Sequence, residues 1–287
     1  MENGFPRTDV GGVSVPRMIV GTNWFLGYSH CTQSKTNYII QNVKNRKSIA
    51  DILEVFFNSG INAVMGQIRE TVLYEAIRET EDRTGTEAII ISTPHLSPDA
   101  NTLVKGFIND ETKKILDNEA AHNAVFCMPH QGTTDLMVDR CARRIRKFGE
   151  VAAMIRERGM IPGLSTHMPE AIVIADESGL DVETYISIYN AMGFLMQVEV
   201  DWTAKIIHEA KKPVMTIKPM ASGHIRPFQA LTFVWNTLRD QDMVTVGTMS
   251  PDEAKELIEL SLSILEKRKA DIELQTTRSK AIFEKRK

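Results

Sequence analysis

Eight short runs of β-branched and apolar residues, at 18–22, 61–65, 88–93, 124–129, 161–166, 184–189, 213–218 and 243–247, recur along the chain. Between and after them lie segments of helical spacing at 49–57, 72–77, 103–121, 136–158, 170–177, 201–211, 228–238 and 252–267. The strand runs are continuously apolar rather than alternating, as parallel strands covered on both faces are. Eight such strand–helix units predict the α/β class and a closed (β/α)8 TIM barrel in preference to an open doubly wound sheet. No G-x-G-x-x-G turn follows the first run, which argues against a Rossmann half.

The punctuation agrees with this alternation. Gly60, Gly159 and Gly179 stand where helices should stop, and Ser250-Pro251-Asp252-Glu253 offers a cap, an N1 proline and two acids at a helix start. A chain of 287 residues is long enough for two average domains, but it also falls within the range of one barrel. Two segments exceed a minimal barrel. The polar stretch from Trp24 to Arg46 reads as a long first βα loop, either a functional lid or a mobile connection. The tail from Lys267 to Lys287 carries eight Lys or Arg against three acids and reads as a solvated terminal helix.

Composition narrows the partners. A formal charge of −3 gives no general attraction to nucleic acid or an anionic membrane, so neither is expected as a partner. No apolar run reaches the ~18 residues of a membrane span, and residues 1–9 lack the apolar stretch of a signal peptide. Only Cys31, Cys127 and Cys141 are present, with no C-x-x-C pair, so the expectation is a reducing cytoplasm without disulfides or a cysteine zinc site. Nothing in the sequence signals an oligomeric state.

The order of several phrases is similar to that of the aldo-keto reductases over most of the chain. Val13-Ser14-Val15-Pro16 leading into Gly21-Thr22 resembles their N-terminal hairpin and first strand, and Gly60-Ile61-Asn62 the entry to their second. Gly163-Leu164-Ser165 before Pro169-Glu170 resembles their fifth strand and helix, Tyr189-Asn190 their sixth, and Val246-Gly247 before Ser250-Pro251-Asp252-Glu253 their eighth. The resemblance implies one domain over 1–287, with 1–17 as the hairpin and 268–287 as a C-terminal helical extension.

It also implies hydride transfer from a nicotinamide cofactor by an Asp, Tyr, Lys and His tetrad, and here the residues depart from it. The Asp position falls on Met65 and the Lys position on Pro94. No Tyr follows closely, since Tyr74 lies inside the next helix, and only His130 matches. The aromatic that would stack on nicotinamide is Ile217, and the basic residue after the eighth-strand glycine is Met249. Ser165 survives as a carboxamide contact. NADP is therefore not expected, and the resemblance carries the barrel rather than the reaction.

In such a barrel the site is built at the C-terminal ends of the strands. Five of the seven histidines, His30, His95, His130, His167 and His224, follow strand runs, while His122 and His208 lie on or beside helical segments. His95, His130 and His167 come from three consecutive strands, and three imidazoles with an open position can hold a zinc-like divalent transition metal. A hydrogen-bond network of the same histidines is the alternative, and spacing leaves both open. Asp135, five residues after His130, is the favoured acidic contributor, ahead of Glu70.

Lys218 ends the seventh run among apolar neighbours, where a charged lysine needs an anion or a lowered pKa. It is a candidate Schiff-base nucleophile, electrophile or anion clamp. Arg69 and Arg226 add positive charge to the rim; Asn23, Gln67 and Asn190 suit hydroxyl recognition, and Trp24 and Tyr28 offer an apolar wall. These residues together predict a non-redox enzyme, a lyase, aldolase or isomerase, acting on a small polar, anionic, carbohydrate-type carbonyl compound. His130 would be the acid or base, assisted by His95 and His167. The alternatives are a divergent NADP-dependent oxidoreductase and a non-catalytic ligand-binding barrel.

Overall fold

The computed structural model describes residues 4–98 and 100–284. Its central strands are β1 (Met18–Gly21), β2 (Ala63–Gly66), β3 (Ile89–Ser92), β4 (Ala124–Cys127), β5 (Ile161–Pro162 and Leu164–Ser165), β6 (Tyr185–Ile188), β7 (Val214–Ile217) and β8 (Met243–Val246). All pair in parallel, β8 beside β1. The ring closes through β5: its first half pairs with β4 (Phe126 opposite Ile161) and its second with β6 (Leu164 opposite Tyr185). Gly163 separates the halves, and a Cβ there would lie 2.5 Å from Met128 Cε. The fold is thus a (β/α)8 barrel, and all eight expected strands are present.

Residue parity explains the apolar runs. Ile19, Ala63, Met65, Ile91, Phe126, Ile186, Met215 and Met243 fill the barrel interior. Their neighbours Met18, Val20, Val64, Ile90, Cys127, Tyr185, Val214 and Val244 pack outward against the helices. Strands buried on both faces have no reason to alternate apolar with polar. A hairpin of Arg7–Val10 and Val13–Pro16 adds Val10 and Val15 to the interior cluster. Its two-residue Gly11-Gly12 turn has both φ positive, as a type I′ turn requires. Arg7 bonds the Gly60 carbonyl at 3.0 Å and Asn62 Oδ1 at 3.2 Å, fixing the hairpin to the entry of β2.

Four segments differ from the sequence expectation. The run 103–121 is two helices, Ala100–Lys105 and Asp110–Ala121, because Gly106 turns the chain left-handed and Asn109 caps the second helix. The run 136–158 is interrupted by a ribbon pairing Val138–Asp139 with Arg144–Ile145, whose turn is held by Asp139 Oδ1 on the Ala142 amide. The first loop contains a polar helix, Gln33–Asn42, that buries only Ile39 and so carries little apolar periodicity. Among the described residues of the tail only Ala281–Glu284 is helical; Arg268 instead ties its start back to Glu259. Among the described residues no helix is long and apolar enough to cross a membrane.

Candidate active site

Asn23, Trp24, Gly66, Thr93, His130, Ser165, His167, Lys218 and Gly247 converge around a cavity of about 270 Å³ at the C-terminal ends of the strands. Its floor includes Met65, Ile186 and Ile217 from the barrel itself. Gly66 is required where it stands, since a Cβ there would lie 1.7 Å from Thr22 Oγ1, which itself donates to the Met65 carbonyl at 3.0 Å.

His130 caps the helix Gln131–Met137. Its Nδ1 accepts the Gly132 amide at 3.2 Å, so the neutral ring carries its proton on Nε2. His95 packs against it with ring centres 3.9 Å apart, and the Gln67 amide nitrogen lies 3.2 Å from His95 Nε2. Burial, with His95, Lys218 and His30 nearby, pushes His130 down to about 4. Burial, with Lys218, His130 and His30, pushes His167 down to about 3. His95 is also lowered, by burial and by Arg69. These rings are neutral at physiological pH and act there as hydrogen-bond groups rather than charges.

Lys218 lies one residue beyond β7, with a left-handed φ of 60°. Ala221 and Ser222 share that region, which costs roughly 1–2 kcal/mol per non-glycine residue and is held by bonds such as Ala221 N–H to the Lys218 carbonyl at 3.0 Å. Strain of this kind concentrates at functional sites. Burial pulls the Lys218 ammonium down to about 8. Among the described residues no Asp or Glu lines the cavity, and none pairs with this amine.

Several residues expected at the mouth are engaged elsewhere. Arg69 Nε lies 3.1 Å from Oε1 of Glu119, a buried carboxylate that also accepts from Ser92 Oγ at 2.5 Å. Asn190 is fully buried, with Oδ1 accepting the Met192 and Phe194 amides and Nδ2 donating to the Phe194 carbonyl. Arg226 is exposed at the start of helix Pro227–Thr237, outside the cavity lining. Asp135 braces the β5 loop through Thr166 Oγ1 and the His167 amide, at 3.1 Å for the latter, rather than facing the cavity. Glu70 opens helix Thr71–Thr84, and His224 packs against Phe194 with the rings tilted. Gln67 and His95 are not among the residues lining the cavity; Gln67 contacts His95, which packs against His130.

Two lining residues were less legible. His30 counted among the rim histidines but carried no assigned role, and Ser222 gave no signal because its place depends on the left-handed loop.

Among the described residues no three His, Cys, Asp or Glu side chains are grouped as a metal site needs. His95 and His130 pack ring against ring, with centres 3.9 Å apart and planes 36° from parallel. The nicotinamide cofactor that the resemblance implies is also poorly matched. Ile217 lies at the cavity in place of an aromatic, and Met249 replaces the basic residue. The Glu253 carboxylate occupies the β8 loop, accepting the Met249 amide at 2.8 Å and Thr248 Oγ1 at 2.9 Å, where a phosphate would need cations. Tyr74 lies against His122, away from the cavity.

No family model matches the chain, and none of the curated proteins is similar to it in sequence. Solved structures are similar in fold. An aldo-keto reductase from Pseudomonas aeruginosa superposes with a TM-score of 0.63 at 15% identity, covering 90% of this chain and 96% of that one. An aldo-keto reductase from Brucella melitensis gives 0.57 at 12% identity, covering 96% of each. A truncated 3-deoxy-D-arabino-heptulosonate 7-phosphate synthase from Thermotoga maritima gives 0.56 at 11% identity, covering 92% of this chain and 93% of that one. At these identities the likeness concerns architecture, and the chain has an aldo-keto reductase-like (β/α)8 barrel.

Proposed function

We propose that the barrel mouth is the active site of a non-redox enzyme, a lyase of the aldolase type or an isomerase, acting on a small anionic carbonyl compound of carbohydrate type. The observation that carries this reading is Lys218, a half-buried amine among neutral histidines in a cavity that no carboxylate of the described residues lines. With a pKa of about 8, about a tenth of Lys218 is free amine at pH 7, against roughly one part in three thousand for an ordinary lysine.

The free amine adds to the carbonyl carbon, and loss of water leaves an iminium that draws electrons from the neighbouring bond. His130, which carries its proton on Nε2, would polarise the carbonyl oxygen as a donor. His167 is the candidate base for the adjacent C–H or O–H, and His95 steadies His130. Positive charge without a counter-ion among the described residues favours an anionic substrate, and Asn23, Trp24 and Ser165 supply hydroxyl contacts and a wall. A cavity at the small end of ligand sites suits a molecule of a few carbons. A zinc-like metal on His95, His130 and His167 would be the competing way to polarise the same carbonyl. Elemental analysis of protein purified without chelator separates the two: a stoichiometric metal lost in His130→Ala would replace the amine reading.

The activity test is proton exchange in D2O, followed by NMR, at the carbon next to the carbonyl of dihydroxyacetone phosphate, glyceraldehyde 3-phosphate and pyruvate. Exchange by the wild type that is lost in both Lys218→Met and His130→Asn supports the assignment. Exchange that survives both substitutions contradicts it.

A further inference from the structure

An imine at Lys218 needs a group that takes a proton from the ammonium before attack and returns one to the departing oxygen. The first loop brings such a group across the mouth. After β1, Trp24 packs toward the β7 and β8 loops, where a Cβ on Gly223 or Gly247 would lie 3.9 or 4.0 Å from its ring. Further along, Cys31 Sγ donates to the Ser222 carbonyl at 3.2 Å, fastening the first loop to the loop that begins at Lys218. Ser29 Oγ accepts the Cys31 amide at 3.2 Å and pairs with Thr36 Oγ1 at 2.8 Å, tying the same turn to helix Gln33–Asn42.

Between these anchors His30 takes a left-handed φ of 56° and lines the cavity with Lys218, His130 and His167. Its Nδ1–H donates to the Tyr28 carbonyl at 3.2 Å. The neutral ring therefore carries its lone pair on Nε2, which has no protein partner among the described residues. His130 has the opposite tautomer and offers an N–H. One histidine can accept a proton where the other can only donate.

Resting on the amine reading above, we infer that His30 is a third acid–base residue of this site, the proton shuttle for Lys218, and that Cys31 is the residue that positions it. His30 Nε2 takes one proton from the ammonium. The free amine then forms the C–N bond while the carbonyl electron pair moves to oxygen, and a proton passes from nitrogen to that oxygen. The C–O bond of the resulting carbinolamine breaks as His30 returns its proton to the hydroxyl. Ammonium and carbonyl thus become iminium and water, with no net proton taken up or released and His30 restored.

The test uses pyridoxal 5′-phosphate as a visible aldehyde probe on the full-length protein, with borohydride reduction and peptide mapping to assign the lysine. Imine formation at Lys218 should slow roughly 100-fold in His30→Gln and His30→Ala, with the final extent of imine little changed. Added imidazole should restore the rate in His30→Ala. Cys31→Ala should slow it less, and Cys31→Ser, which keeps a donor, should recover most of the loss. Unfolding midpoints close to wild type show that the variants are folded. Wild-type rates in both His30 variants, or a slowed His30→Ala that imidazole does not rescue, would overturn the role of His30 while leaving the amine chemistry standing. No imine at Lys218 in the wild type would overturn the underlying reading and this inference with it.

Discussion

The imidazole rings of His95 and His130 lie 3.9 Å apart, centre to centre, at an interplanar angle of 36°. They come from the loops after β3 and β4, which are joined by the His130 amide donating to the Pro94 carbonyl at 2.8 Å. At this distance a proton on one ring opposes a proton on the other. Burial first, and the neighbouring His95 ring second, keep His130 neutral, so that the ring meets the cavity as an N–H donor.

Replacing His95 by Phe preserves a flat packing partner but removes the second titrating ring. The His130 midpoint should then rise from about 4 toward its ordinary value, though only part of the way, because burial, Lys218 and His30 still oppose its charge. Histidine NMR titration checks this without any substrate. An unchanged midpoint would show that the stack contributes packing alone.

The same shifts set a pH dependence of stability. In the unfolded chain His130 and His167 bind protons below about 6.5, whereas in the fold they refuse them down to about 4 and about 3. The unfolded state therefore holds more protons as pH falls below 6.5, and stability declines through that window. Above it these two residues contribute no slope. Denaturation midpoints between about pH 7 and pH 5 should fall in the wild type, and His130→Asn with His167→Asn should flatten the decline. Carboxylates such as Asp181 and Glu183, held low by Arg156, respond at more acidic pH.

Lys218→Met should abolish imine chemistry and stabilise the protein. Methionine matches the length of the lysine stem and carries no charge to desolvate, so a gain of about 1–3 kcal/mol is expected. Urea unfolding measures it. A loss of stability would mean that the ammonium has an anionic partner in solution.

Gly66 and Thr22 should behave as a coupled pair. Gly66→Ala places a methyl on Thr22 Oγ1 and should cost roughly 3 kcal/mol. Adding Thr22→Ala removes the clash along with the bond to the Met65 carbonyl, and should recover about 1–2 kcal/mol. A double-mutant cycle by thermal or urea unfolding reads the coupling, and strict additivity would contradict it.

The barrel was legible because its strands are buried on both faces, so that runs such as Ile89–Ser92 carry their position in composition alone. Placing His130, His167 and Lys218 at strand ends then followed from the topology. Arg69 and Asn190 were misplaced for a different reason. Arg69 is captured by Glu119, fifty positions away in sequence, and Asn190 by the amides of its own turn. Side-chain partners of this kind are chosen in three dimensions and leave no periodic trace. His30 illustrates the converse: a polar loop without apolar spacing is carried to the mouth by contacts such as Cys31 with Ser222.

The most direct test of the account is borodeuteride trapping. The wild-type protein is incubated with glyceraldehyde 3-phosphate, dihydroxyacetone phosphate or pyruvate, reduced, and mapped by peptide mass spectrometry. The account predicts one deuterated adduct, on Lys218, absent from Lys218→Met and much weaker with the uncharged compounds glyceraldehyde and dihydroxyacetone. No adduct with any of these compounds, or labelling spread evenly over surface lysines, would contradict it.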